Sequence, residues 1–228
     1  MILEYLDESH AAIQGELFKH LGKFIAQTDY SVVWKEYEDQ AVVGMVKIIR
    51  TKFPGLGEKC FERGEVGKSK NRLADLLVRY KDEVILISVK ACRASADSAN
   101  DLGTFRQYPT KRRNYTGIFD IWVRYEDVAL PPKVTGVFFD RSFKFVGKMT
   151  IVDGVAYRKK DGNMRPKPWS MFDNGTCFWN TLEEFEAGMQ RSIKFRANSL
   201  VNEHLQTMDE DDQRALYECL KAKFGSST

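Results

Sequence analysis

The chain has 228 residues, about 43% of them apolar, which is enough for one sizeable core or one core with small subdomains. Its formal net charge of +3, from 35 Lys and Arg against 32 Asp and Glu, is too mild to demand a polyanionic partner by itself. No apolar run approaches the roughly 20 residues of a bilayer span, so no membrane partner is expected. The acidic start Met1-Ile2-Leu3-Glu4-Tyr5-Leu6-Asp7-Glu8 has no signal-peptide pattern. Cys60, Cys92, Cys177 and Cys219 form no CxxC pair, and His10, His20 and His204 are scattered, which argues against zinc. Free thiols suit a reducing cytoplasm, the expected location.

Residues 9–27 carry apolar positions at helical spacing: Ile13, Leu17, Leu21 and Phe24-Ile25. A second helix is predicted over 36–52, with Val42-Val43, Val46 and Ile49 on one face, stopped by Pro54-Gly55. The polar, glycine-containing stretch 55–71 reads as a loop, with or without a short strand. Two β-rich runs, Leu73 to Tyr80 and Val84 to Lys90, are joined by the charged turn Lys81-Asp82-Glu83 and predict a hairpin. Segment 94–116 is polar and is expected to wrap over a surface. Strands are predicted at 118–125 and 134–139, with the β pattern continuing through 143–152. Asp153-Gly154 and Asp161-Gly162-Asn163 are turn chemistry in a basic loop or hairpin over 153–168. Thr181 with Glu184 is a capping box for a helix to about 203, and Thr207 with Glu210 repeats the signature before a helix to about 223. The order predicts an α/β (mixed α+β) fold, a central mixed sheet flanked by helices.

The hairpin carries the chemistry. Asp75 enters its first strand and Lys90 leaves its second. Side chains alternate faces along a strand, so Ser88 and Lys90 share one face, which the hairpin can fold toward Asp75. An acid and a lysine on rigid strands make half of a metal-dependent phosphodiesterase site. The other half calls for a carboxylate at position 88, where this chain has Ser. Carboxylates hold Mg²⁺ because it prefers oxygen ligands, and the ion supplies an activated water and charge neutralisation. A lysine directly after Val84-Ile85-Leu86-Ile87 sits where burial is costly without a partner. The bland alternative is an ordinary strand-end acid and lysine. Two basic clusters, Arg106, Lys111, Arg112, Arg113 and Arg158, Lys159, Lys160, Arg165, Lys167, are an electrostatic footprint for phosphate or two solvated loops.

With these residues in place, the chain resembles the PD-(D/E)xK nucleases, and within them the type II restriction endonucleases of the EcoRV and HincII type. The resemblance covers roughly residues 30–200. It runs in order through the hairpin, Asp101-Leu102-Gly103-Thr104-Phe105, Ile121-Trp122-Val123-Arg124-Tyr125, the segment from Gly136 to Gly147, and the segment from Gly175 to Phe185. It implies a restriction-endonuclease-like core and matches Asp75 to the first metal-binding aspartate and Lys90 to the catalytic lysine. Glu38, with Glu36 as rival, matches the helix glutamate that assists the metal, so the implied catalytic set is Asp75, Lys90, Ser88 and Glu38. The basic loop matches the recognition loop of the DNA major groove. Arg158, Lys159, Asn163 and Arg165 are its candidates for base edges, Arg suiting guanine and Asn adenine, with Lys160 beside them. Arg106, Lys111, Arg112 and Arg113 are candidates for phosphate.

The implied organisation is a dimerisation helix in 1–30, a catalytic core in 31–150, a recognition loop in 151–168 and a C-terminal helical part in 175–228. The implied activity is Mg²⁺-dependent cleavage of double-stranded DNA by a homodimer, giving 5′-phosphate and in some cases blunt ends. Mn²⁺ is the expected substitute, and no small-molecule cofactor is implied. Ser88 departs from the pattern, which wants Asp or Glu. Either Asp97 or Asp101 replaces the missing acid, or the position carries an inactivating substitution, or the protein binds DNA without cutting. A structure-specific repair nuclease of the same fold is a further alternative.

Overall fold

The computed structural model describes residues 1–26, 33–63, 75–96, 102–104, 107–126, 128 and 131–224, with only the backbone described at 107, 109–111 and 222–224. Five strands form one sheet in the order of the chain: β1 (Phe61–Arg63), β2 (Leu76–Tyr80), β3 (Glu83–Arg93), β4 (Gly117–Glu126) and β5 (Lys133–Arg141). All neighbours are antiparallel except β3 and β4, which are parallel and so need the crossover through 94–116. The mixed α/β fold with a helix-flanked sheet is as the sequence predicts. β3 is the long central strand, and alternation along it divides the core.

Ile85, Ile87, Val89 and Ala91 face one layer, where α1 (Ile2–Glu8), α2 (His10–Leu21) and α3 (Val33–Lys52) bury Leu6, Ile13, Leu17, Tyr37, Met45 and Ile49. Leu86 faces the other, with Tyr108 of α4 (Gln107–Asn114) and Phe185 and Met189 of α6 (Leu182–Thr207). Cys92 continues that face into an aromatic cluster around Trp122, Phe145 and Phe172, the last on α5 (Trp169–Asp173). α7 (Glu210–Phe224) follows α6.

The helix predicted over 9–27 is α2, which ends at Leu21, with α1 preceding the predicted range, and its stripe Ile13, Leu17, Leu21 is buried in the core of its own chain. That apolar face packs against the chain's own core, whereas Phe18 of the same helix is exposed. Of the face predicted for the second helix, Val42 and Ile49 are buried, whereas Val43 and Val46 are half-buried beside Ala41, Met45 and Ile48. Gly44 is explained by close helix packing, since a Cβ there would meet His20 Cδ2 at 2.8 Å. Helix α4 lies in the polar segment 94–116, expected to wrap over a surface, and α5 lies between predicted elements, where no helix was expected. The predicted β run over 143–152 is two short 3₁₀ turns around β6 (Lys148–Met149), which pairs with β7 (Gly154–Val155). α6 opens with the expected capping box, Glu184 N–H donating to Thr181 Oγ1 at 3.2 Å. At α7 the cap is Asp209, which accepts from Asp212 N–H at 2.8 Å, while Thr207 donates to His204 O.

Candidate active site

The hairpin forms as predicted, with the tight turn at Lys81 in the left-handed region. Its register, Leu76 opposite Ile87, places Asp75 opposite Ser88 by one further step. β2 begins at Leu76, but β3 runs on to Arg93, so among the described residues the N–H groups on that edge of β3 are met by side chains and not by β2. Two carboxylates take them. Asp75 Oδ2 accepts from Val89 N–H at 2.6 Å, and Glu38 Oε1 of α3 accepts from Ala91 N–H at 3.1 Å. Positions two apart on a strand are about 6.6 Å apart, so the two acids are pinned to one edge at about that separation. Lys90 lies between their two anchor points and is half-buried.

Glu38 reports how close these groups are. Its carboxyl is pushed up to about 7, first by desolvation and further by the Asp75 charge, against the opposing pull of Lys90. Glu38, Asp75 and Lys90 are thus one electrostatic cluster. Ser88 is buried on the same face as Lys90.

One further acid was invisible in the hairpin. Asp120 of β4 is directly in register with Ser88, is 5% exposed, and accepts a hydrogen bond from Ser142 Oγ at 2.7 Å. The signal for it was present: a charged residue centred in the apolar run Ile118-Phe119-Asp120-Ile121-Trp122. Asp97 and Asp101, the replacements weighed from sequence, lie outside the described residues. Among the described residues no group of three or more His, Cys, Asp or Glu side chains is placed to hold a metal ion.

The basic candidates behave differently. Arg106 lies outside the described residues, as does the Lys111 side chain. Arg112 pairs with Glu186 of α6 at 3.6 Å, and Arg113 is exposed. In the predicted recognition segment Arg158 forms an ion pair with Asp161, whose carboxyl is held down to about 2 chiefly by that hydrogen bonding. Asn163 also donates to Asp161, at 3.0 Å, and Lys159 pairs with Glu203. Lys160 is exposed, and Arg165 is half-buried. Lys167, counted in the basic patch, is a core residue: it is 4% exposed, donates to Thr176 O at 2.7 Å and lies over Phe145 and Phe172. Burial lowers the affinity of its amine for a proton.

No protein-family model and no curated protein matches the chain. Among solved structures, the NlaIV restriction endonuclease matches over 82% of this chain and 76% of that one, at 16% identity and a TM-score of 0.50. The fold is restriction-endonuclease-like. Within a restriction-endonuclease-like fold, the acid–lysine edge of β3 lies on the central sheet. Val146, Val155 and Met164 of the segment 146–166 pack in the cluster of Leu86 on that side of the sheet, and the bridges Val146 to Pro166 and Thr104 to Asn163 close the segment on itself and on Thr104.

Proposed function

We propose that this chain is a Mg²⁺-dependent type II restriction endonuclease that cleaves both strands of duplex DNA as a homodimer and leaves 5′-phosphate ends. The observation that carries the reading is the convergence of Asp75 and Glu38 on one strand edge beside Lys90. The residues fit a hard divalent ion. Mg²⁺ is commonly held by one or two carboxylates, with waters and substrate phosphate completing its octahedron, so no cage of three protein acids is needed. Asp75 and Glu38 would hold it, with the Ser88 hydroxyl as a neutral oxygen nearby. Bound there, such an ion would lower the pKa of a water and stabilise charge on the transferring phosphoryl group.

The chain's own residues do the rest. Asp75 and Glu38 are oriented by backbone N–H groups of the strand that carries Lys90, so acids and ammonium keep one geometry. Lys90 places a positive charge where the scissile phosphate must lie and positions the attacking water. Asp120, one strand beyond Ser88, supplies negative charge on the side where position 88 lacks it. The exposed Lys160 and Arg113 offer phosphate contacts, and the 153–167 segment is the reader of base edges.

Ser88 favours one second reading, a DNA-binding protein of the same fold that does not cut. Incubation with a panel of plasmid and phage DNA in Mg²⁺ and in Mn²⁺, beside Lys90→Ala, separates the two. Discrete fragments that vanish in the variant support the nuclease. Binding without cleavage under either ion, restored to cleavage in Ser88→Asp, identifies a disabled site. Calorimetric titration of the ions into the protein gives a readout independent of cleavage, and binding should weaken in Asp75→Asn.

A further inference from the structure

The outer edge of β5 borders a cleft that the acid–lysine cluster does not use. β5 is the last strand of the sheet, and among the described residues no strand pairs with its outer edge. Phe139 N–H donates there to Gln14 Oε1 of α2 at 3.3 Å. Between α2, β5 and α5 the cleft measures about 540 Å³, inside the range of roughly 300–1,000 Å³ for pockets that hold small molecules. Phe18, Phe138, Phe145 and Phe172 give it apolar walls, and Gln14 and Lys167 also line it. None of Glu38, Asp75, Ser88 and Lys90 does.

The charges around the cleft do not balance. Asp173 is held by Arg124 at 2.8 Å, and Asp140 by Lys144 at 3.2 Å. Lys167 is the cation beyond these two neutral pairs. It is 4% exposed, donates to Thr176 O at 2.7 Å and faces the Phe145 and Phe172 rings. Asp140 attracts it without pairing, and among the described residues no carboxylate lies within ion-pair distance of it. An ammonium has three N–H donors, and one carbonyl with two ring faces supplies only partial negative charge. Desolvation accordingly lowers the affinity of the amine for a proton. A buried charge without a counter-charge is costly, so a ligand that brings one negative charge is favoured there. A phosphate dianion would bring more charge than Lys167 offers and would face Asp140 and Asp173. A carboxylate brings one, and an aromatic body suits walls made of phenyl rings.

We propose that this cleft is a binding site for a small aromatic carboxylate, with Lys167 and the Gln14 amide donating to the carboxylate and the rings of Phe138 and Phe172 packing on the aromatic body. The site stands on the β5 edge and is independent of the nuclease reading. Naphthoate is a suitable probe, with naphthylmethanol as its neutral counterpart and inorganic phosphate as a bare anion. Amide NMR titration of the full chain with naphthoate should shift Gln14, Val137 and Gly175, which line the cleft. The acid should bind about tenfold or more tightly than the alcohol, as expected of hydrogen bonds to a charged group. Lys167→Met should remove that preference and leave the alcohol's affinity nearly unchanged. Gln14→Glu keeps an acceptor for Phe139 N–H but sets a negative charge beside the ligand, and should weaken naphthoate. The comparison of acid with alcohol tests the same point in the unaltered protein, whatever a variant does to the fold. Absence of naphthoate binding, equal binding of acid and alcohol, or a preference that survives Lys167→Met overturns the proposal. So does phosphate binding at the same amides as tightly as naphthoate.

Discussion

The edge of β3 and the segment 153–167 were both read from sequence as functional, and they are built in opposite ways. At the strand edge, backbone geometry does the placing. The β2 ladder ends at Leu76 while β3 continues, and the N–H groups of Val89 and Ala91 are met by Asp75 and Glu38. The acids accept from neutral backbone donors, and Lys90 is the cation beside them. In the 153–167 segment, side chains satisfy each other. Arg158 and Asn163 are held by Asp161, and Lys159 is held by Glu203. The first region is a preorganised site, whereas the second is a loop whose charge is largely internal. Changes in the first should act on chemistry, and changes in the second should act modestly on affinity.

The largest expected effect is at Lys90. Lys90→Ala should lower cleavage by about 10³-fold, in the range for loss of a positioned charged group, while DNA binding changes little. Single-turnover cleavage beside a gel-shift titration checks this, and parallel losses of binding and cleavage would break the contrast between the regions. Next is Glu38. Its folded carboxyl is raised to about 7, so the native state binds a proton there that the unfolded chain, with an ordinary glutamate, has already released. In the metal-free protein, this contribution to stability is full below about pH 4.5 and is lost as the pH rises through about 7. The loss is on the order of 2–3 kcal/mol. Glu38→Gln should flatten the fall, as read by urea denaturation in a chelator between pH 5 and 8. An unchanged slope would remove Glu38 from the cluster with Asp75.

Gly188→Ala probes the scaffold of the second region. A Cβ there runs into the Trp179 ring, whose Nε1–H donates to Val146 O at the foot of the segment. The expected cost is about 1–3 kcal/mol from overpacking. It should appear as faster hydrogen exchange in 146–166 with the α3–β3 layer unaffected, and uniform exchange across both layers would tie the two regions into one unit.

The contrast also explains what the sequence made legible. Asp75, Ser88 and Lys90 were placed correctly because alternation and a short turn determine a hairpin's faces and register. Asp120 was passed over because its partner across the sheet is set by a parallel crossover, which local pattern does not encode. Helix α2 was readable as a helix, but amphipathicity shows that a face is buried and not what covers it, and here the chain's own core covers the stripe Ile13, Leu17 and Leu21. The same blindness applied to charge. Lys167 sits among surface cations in the sequence, but the fold buries it under Phe145 and Phe172.

The smallest expected effect is at the Arg158–Asp161 pair. The pair is solvent-exposed, and such pairs contribute little to stability, so either single change should leave the fold intact. Their effects on DNA should differ in sign. Arg158→Ala removes a cation and should weaken specific binding by about tenfold or less, on the order of one base or phosphate contact. Asp161→Asn removes the anion that holds Arg158 and also engages Asn163, so both side chains gain freedom to reach DNA. Binding should then tighten, with a steeper dependence on salt as one more cation meets phosphate. Fluorescence anisotropy with a duplex across a salt series measures both. If Asp161→Asn instead weakens binding, Asp161 is holding Arg158 and Asn163 in the conformation that reads DNA, and the segment is as preorganised as the strand edge.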